Sequence, residues 1–447
     1  MQTTYTTAKE TKRAMRVWIE GQKLNQAGFV PEARYTADYL SVAQTITLTL
    51  DPNGSRAVTK ATRNGKARPI IDLHSSEVSE VFKAGDRLRV TFKAGEIKIE
   101  LHHEQQGKEE RELTLKRNIA SGKITEASMF TGGGVSTEAI SEAIAHQGIE
   151  TKLAWVAEME TKYIEGAGEN CLCIDDDTTF LVGAVEEIEQ HLFTSVDVLS
   201  FSMPCAGFSK AGRSKHKQTS EQHSGTALFG VMNAIKNSNP AIIISENVTE
   251  AWDSPIYQLL TSELRRTGYR IFEQILNQSH TGSIENRERY WMVAISEGVA
   301  PESLDLETFT GQRQQIIEIL EEAPESAWCE NDYLKEKEKR DLEAGKGFHR
   351  QLLTGQEDRC GTIGRFYAKK RSTEPFLTRA DGKERLFTPA EHARVKSIPE
   401  RLIQNVSTTT AHEILGQSVD YLQPFNLTKR IFTEILNAIR PASTLAA

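Results

Sequence analysis

The chain has 447 residues, enough for two or three domains. Charged residues make up 26% and hydrophobic ones 38%, as in a soluble globular protein, and no apolar run approaches the ~18 residues of a membrane-spanning helix. Five cysteines argue against a disulfide framework and the polar N-terminus lacks the apolar run of a signal peptide, so a cytoplasmic location is expected.

The net charge of −8 counts against a uniformly basic surface, but the charge is unevenly spread. Residues 302–344 hold 13 acids and 5 bases, whereas residues 359–396 hold 10 bases and 4 acids. A concentrated basic segment can hold a phosphate backbone; a solvated face would read the same way.

Residues 1–101 read as a β-rich module. The run ITLTL at 46–50 alternates with period two into a DPNG turn signal at 51–54, and RLRVTF at 87–92 and EIKIEL at 96–101 form a hairpin candidate. Residues 102–123 are polar and charge-dense, which suits a linker. From Thr125 short apolar runs alternate with helical patterns: strands at 125–130, 151–157 and 171–174, helices at 136–147 and 160–168, and further strands at 196–202, 241–245 and 289–295. That alternation predicts an α/β, doubly wound sheet whose ligands sit beyond the carboxyl ends of its strands.

Those ends carry the candidate chemistry. The first strand runs into FTGGG at 130–134 before a helix, a turn that lets a ligand approach the backbone and face the helix N-terminus. The second ends at Glu158-Met159, where a carboxylate can accept two ribose hydroxyls or simply favour the following helix dipole. Asp175, Asp176 and Asp177 after the expected third strand suit an adenine amino group or a capping cluster. The fourth strand ends in MPCAGFS at 203–209, which sets Cys205 on a turn after Pro204; an inert buried thiol is the plainer reading. The fifth ends in ENV at 246–248, placing the Glu246 carboxylate toward the same cleft. In NRERY at 286–290, period-two spacing projects Arg287 and Arg289 to one face, unless they are a surface salt-bridge pair.

This ordered set, with RLFTPAEHARVKSIP at 385–399 and GQSV at 416–419, resembles the DNA (cytosine-5) methyltransferases over residues 125–437. Four positions depart from the family pattern: Ser128 replaces an acid, Val135 a glycine, Glu285 a glutamine and Gln417 an asparagine. The resemblance implies a Rossmann-like S-adenosylmethionine-dependent methyltransferase sheet with a small target-recognition domain. Its catalytic domain would span 124–297, the recognition domain 298–384, and residues 385–447 would complete the catalytic domain.

It also implies roles. Cys205 would add to carbon 6 of a cytosine flipped from duplex DNA, Glu246 would hold ring nitrogen 3 and the exocyclic amine, Arg289 would meet oxygen 2, and Arg287 would support the site. Phe130, Gly132, Gly134, Glu158, Met159, Asp176, Pro204, Ser418 and Val419 would bind S-adenosylmethionine, with no metal. Residues 206–225 would close over the base, and Ser209, Arg213, Thr362 and Arg365 would reach DNA. The N-terminal module resembles small SymE-like and AbrB-like swapped-hairpin domains, which implies an added DNA-binding or dimerising element; a packing appendage is the plainer alternative. A tRNA cytosine-5 methyltransferase, and a DNA-binding regulator with an accessory methyltransferase half, are the competing readings. A cognate restriction enzyme is a further candidate partner.

Overall fold

The computed structural model describes residues 1–63, 66–204, 217–345 and 349–439. The chain divides into two compact units, Met1–Glu110 and Arg111–Ala447. Among the described residues no helix is long and apolar enough to cross a membrane.

The first unit is built from two antiparallel sheets. Six strands lie in the order Gln2–Thr7, Arg87–Lys93, Glu96–Leu101, Thr45–Leu50, Arg34–Leu40 and Arg56–Ala57. The expected hairpin is present, with Arg87–Lys93 paired to Glu96–Leu101 in register around Ala94 and Gly95. Four more strands run in the order Lys9–Glu10, Met15–Glu20, Lys66–His74 and Thr59–Arg63. Alternating residues such as Val17, Ile19, Ile46, Leu48, Leu88, Val90, Ile97 and Ile99 point inward and form one core.

Residues 102–123, whose polarity suits a linker, have regular structure with buried side chains. They form the helix His103–Ser121, in which Arg111, Leu115 and Ile119, four residues apart, are buried. The Arg111 guanidinium lies 4.0 Å from the ring centre of Tyr269 and donates to Ser296 Oγ and the Thr267 carbonyl, which is why so polar a helix can pack.

The second unit holds a seven-stranded sheet. In chain order its elements are β1 (Lys123–Met129), α1 (Val135–Ala145), β2 (Glu150–Glu158), α2 (Thr161–Asn170), β3 (Thr179–Val182), β4 (Val198–Phe201), α3 (Lys217–Ser238), β5 (Ile242–Asn247), α4 (Pro255–Arg266), β6 (Tyr269–Leu276) and β7 (Arg289–Ser296). The spatial order is β3-β2-β1-β4-β5-β7-β6, with β7 antiparallel to both neighbours. Near-continuous apolar runs such as Ile242, Ile243 and Ile244 are buried because helices cover both faces. This is the α/β sheet with helices on both faces that the alternation along the sequence predicts.

The third strand is displaced from its expected place. Residues 171–174 form a loop whose Cys171, Cys173 and Ile174 pack against neighbouring helices, and the strand begins at Thr179. Residues 284–395 include a small hydrophobic core of their own, with Ile316, Ile319, Leu353, Ile363, Tyr367 and Phe387, and a three-stranded sheet of Gln351–Leu353, Pro375–Thr378 and Glu384–Arg385. The chain then closes with α5 (Pro389–Val395), α6 (Thr408–Gln417) and α7 (Leu422–Ile439), the last covering the sheet with Leu427, Ile431 and Ile435.

Candidate active site

The carboxyl ends of β1, β2, β4 and β5 line one edge of the sheet, and most of the sequence-derived residues meet there. Phe130 leaves β1 with φ 54°, and Gly134, at φ 79°, caps α1. A side chain at Gly134 would overlap the Cys171 sulfur, so the turn requires glycine both for its dihedral and for its packing. The Gly132 amide donates to Glu158 Oε2 at 2.8 Å, while Glu158 Oε1 accepts from the amides of Met159 and Glu160 at 2.9 Å. The carboxylate is thereby fixed between the two strand ends, with acceptor capacity left on Oε2 for a ligand. Ser128, in place of the family's acid, accepts from the hydroxyls of Thr131 (3.2 Å) and Thr137 (2.8 Å), which tie the turn to α1.

Asp176 does not join this cluster. The Asp175–Asp177 loop precedes β3, and Lys152 at the start of β2 holds Asp177 at 2.8 Å, so the loop lies at the opposite end of the sheet from Glu158. After β3 the chain instead presents Gly183 and Ala184, neither of which carries a carboxylate.

On the other side of β1, the Asn247 amide donates to the Met203 carbonyl at 3.1 Å, joining the ends of β5 and β4 beside Pro204. Glu246 sits one residue before it, and its Oε1 lies 2.8 Å from Arg289 Nε, with both side chains largely buried. Cys205, Ser209 and Arg213 lie outside the described residues. The later part of the expected closing loop, from Lys217, is helical backbone in α3.

Arg287 and Arg289 do not share a face. The strand β7 begins only at Arg289, because Glu285 and Asn286 are hydrogen-bonded to Val395 and Cys360 and stand apart from the central sheet. Arg287 is buried at 4% exposure and donates to the carbonyls of Ile363 (3.2 Å) and Gly416 (3.1 Å). Glu285 accepts from the Ile363 amide at 2.8 Å and pairs with Lys396 at 3.1 Å, and Lys396 in turn donates to the Ser418 carbonyl at 2.8 Å. Sequence reasoning gave Glu285 no structural role and passed over Lys396; the available signal was the acid at 285 where the family pattern has a glutamine.

This buried triad gathers three distant segments. Ser418 is half-buried and Val419 is in the core, while a side chain at Gly416 would overlap the Gly364 carbonyl, so the GQSV motif packs directly on the 361–367 segment. The Gln417 side chain approaches Gly132, which closes the glycine turn from above.

Thr362 is exposed and donates to the Asn286 carbonyl at 2.9 Å. Arg365 stacks over Tyr163 at 5.5 Å and Phe366 at 5.7 Å. The basic segment found by counting is partly neutralised within the fold. Arg379 and Lys383 pair with Glu325, Arg385 with Glu391, and Arg394 with Glu321 and Glu400. Glu321 and Glu325 come from the acidic stretch, so the two charge runs partly cancel one another. Lys369, Lys370 and Arg371 stay exposed at the surface, with Lys369 and Arg371 each 4.7 Å from the Phe366 ring centre.

The family profile of C-5 cytosine-specific DNA methylases matches residues 174–437. The chain belongs to this family. The methylase is 27% identical over 244 residues to the type II methyltransferase M.NlaX of Neisseria lactamica, a match covering 53% of this chain and 74% of that protein. It is 26% identical over 179 residues to the orphan methyltransferase M.SPRI of Bacillus phage SPR, where it spans only 38% of the relative and 39% of this chain. Among solved structures, the Dnmt2 methyltransferase of S. pombe superposes with a TM-score of 0.57 at 17% identity, covering 71% of this chain and 99% of that one, which shows the shared fold.

Proposed function

We propose that this methylase transfers a methyl group to carbon 5 of a cytosine flipped out of duplex DNA. The observation that carries the reading is the Glu246–Arg289 pair at the ends of β5 and β7, joined through Asn247 to the turn that leads into Cys205. Glu246, with Arg289 on one oxygen, retains a second oxygen for ring nitrogen 3 and the exocyclic amine. Arg289 suits the cytosine oxygen 2, while Arg287, spent on backbone carbonyls, holds the segment rather than the base. The type II names of the relatives favour DNA over tRNA.

In this scheme the Cys205 thiolate forms a bond to carbon 6, the C5–C6 π pair shifts to make carbon 5 nucleophilic, and Glu246 holds a proton at nitrogen 3. Carbon 5 is methylated, its proton leaves to a base, and the carbon–sulfur bond breaks to restore the double bond. A stacked cytosine is out of reach of the thiol, so flipping must come first, at a cost of a few kcal/mol.

The strand ends fit S-adenosylmethionine, which supplies an electrophilic methyl group when bound. The glycine turn keeps side chains away from the backbone, and Glu158 offers a fixed acceptor for ribose hydroxyls. Phe130, Gly132, Gly134, Met159, Pro204 and Ser418 would complete the pocket; Val419 supports it from the core. Asp176 plays no part.

Single-base methylcytosine sequencing of DNA from a methylation-free bacterial host tests the reading, with Cys205→Ala beside the intact chain. A recurring methylated motif that needs Cys205 is expected. An unmethylated genome with soluble protein, followed by methylation of tRNA, would overturn the DNA assignment.

A further inference from the structure

One segment of the first unit projects from its sheet. Strand Thr59–Arg63 pairs antiparallel with Lys66–His74, matching Lys60 to Pro69, Ala61 to Arg68 and Thr62 to Ala67. On the far side, the neighbouring strand Met15–Glu20 pairs only with residues 70–74. Among the described residues, the two strands beyond Ile70 therefore have no sheet neighbour except each other. Residues 59–62, 67 and 68 are all exposed, whereas a strand lying on a core would alternate; burial resumes at Pro69 and Ile70.

The charge on this ribbon is of one sign. Between Asp51 and Asp72 the sequence carries Arg56, Lys60, Arg63, Lys66 and Arg68 and no acid. Several bases on the other strands of the unit have close carboxylates: Arg16 has Asp72 at 2.8 Å, Arg89 has Glu100 at 2.9 Å and Lys98 has Glu100 at 2.7 Å, while Lys12 and Arg13, ahead of Met15–Glu20, have none among the described residues. On the ribbon, Lys60 reaches only Glu32 at 3.8 Å, and Arg68 forms no ion pair among the described residues. A lysine can simply guard an edge strand against pairing. That purpose needs one charge on one strand, not bases on both strands with small side chains (Ala61, Thr62, Ala67) between them.

We propose that the paired strands 59–62 and 67–70 are a DNA arm that lies in a groove of the duplex outside the methylated site. Lys60 and Arg68 hold phosphates there, and the small residues allow close approach to the groove floor. A two-stranded ribbon fits the ~12 Å major groove of B-DNA, and its electrostatic contacts are sequence-independent. The arm gives the first unit a binding role in place of a packing one, and it rests on the reading that the substrate is duplex DNA.

The test uses the full chain with Lys60→Glu/Arg68→Glu, the neutral Lys60→Gln/Arg68→Gln, and Lys93→Glu as a control on an exposed base that already has a carboxylate partner, Glu96. Methylation of a duplex is measured across a salt series, alongside cofactor affinity and thermal unfolding. Charge reversal is expected to raise KM for duplex about tenfold at about 0.15 M salt and to lower the log–log salt slope by about two, with kcat, cofactor affinity and Tm unchanged. The neutral pair should fall between, and Lys93→Glu should match the parent. An unchanged KM and salt slope would overturn the arm, as would a loss confined to tRNA binding. If the parent methylates no DNA, the substrate reading fails by itself; retention of non-target duplex by the parent but not by the charge-reversed chain would still support the arm.

Discussion

The Lys396 ammonium stands 3.1 Å from the Glu285 carboxylate, and neither side chain reaches solvent. Burial by itself would raise the Glu285 pKa, but Lys396, Arg287 and the Ile363 amide outweigh it and hold the carboxyl below its ordinary value. Burial, together with Arg287, pulls Lys396 well below the usual amine range. Through this pair, the lead-in to β7, the 361–364 segment and the 416–418 motif are fastened at one point.

Removing one partner should therefore cost more than removing both. Lys396→Met alone leaves a buried carboxylate with only Arg287 to balance it, and should destabilise the second unit by about 3–5 kcal/mol. Lys396→Met combined with Glu285→Gln should recover most of that loss. Denaturant unfolding of the two single variants and the double closes the cycle; additive losses would show that the pair acts as two independent residues.

The Glu246–Arg289 pair makes a prediction about chemistry and not about folding. Glu246→Gln keeps the shape but cannot hold a proton on nitrogen 3, so single-turnover methylation should slow by about 10²–10⁴. Cofactor affinity should stay close to the parent. A loss of affinity for S-adenosylmethionine equal to the loss in rate would argue that Glu246 belongs to the cofactor pocket instead.

At the glycine turn, the expectation separates two acids that look alike in sequence. Glu158→Ala removes the acceptor for the amides of Gly132, Met159 and Glu160, and should weaken S-adenosylmethionine binding about 10–100-fold by calorimetry. Asp176→Ala, at the opposite end of the sheet, should leave binding unchanged.

Glu126 gives a pH dependence. It is fully buried in β1, accepts from Ser141 at 3.1 Å, and burial pushes its pKa up to about 7. A carboxyl whose folded pKa is raised binds its proton more tightly in the folded state, so its contribution is fully present below the unfolded pKa near 4.5. That contribution is lost as pH rises through 7, by an amount on the order of 3 kcal/mol. Glu126→Gln should thus raise Tm relative to the parent at pH 8 and leave it near the parent at pH 4.5. Parallel pH profiles for the two proteins would show that Glu126 is not the group responsible.

Much of the catalytic edge was legible because its signals are local. A glycine run after a strand, an acid closing β2 and an acid closing β5 declare themselves by their order along the chain. The strand period also recovered the hairpin of Arg87–Lys93 and Glu96–Leu101. The helix His103–Ser121 was masked by its polarity, although Arg111, Leu115 and Ile119 repeat every four residues. The third strand was misplaced because the apolar run at 171–174 packs equally well as a loop, and with it Asp176 moved to the wrong end of the sheet.

By itself, then, the sequence determined the class of the sheet, the family and the motifs at most of its strand ends, since these depend on spacing and residue type within short windows. Tertiary structure alone decided where the charges go. Glu325 neutralises Arg379 and Lys383 across more than fifty residues, and Lys396 meets Glu285 across more than a hundred. It also split Arg287 from Arg289, sending one to backbone carbonyls and the other to Glu246. An ion pair forms where two chain segments are brought within a few ångströms and shielded from water, and that depends on packing, which no count along the chain contains.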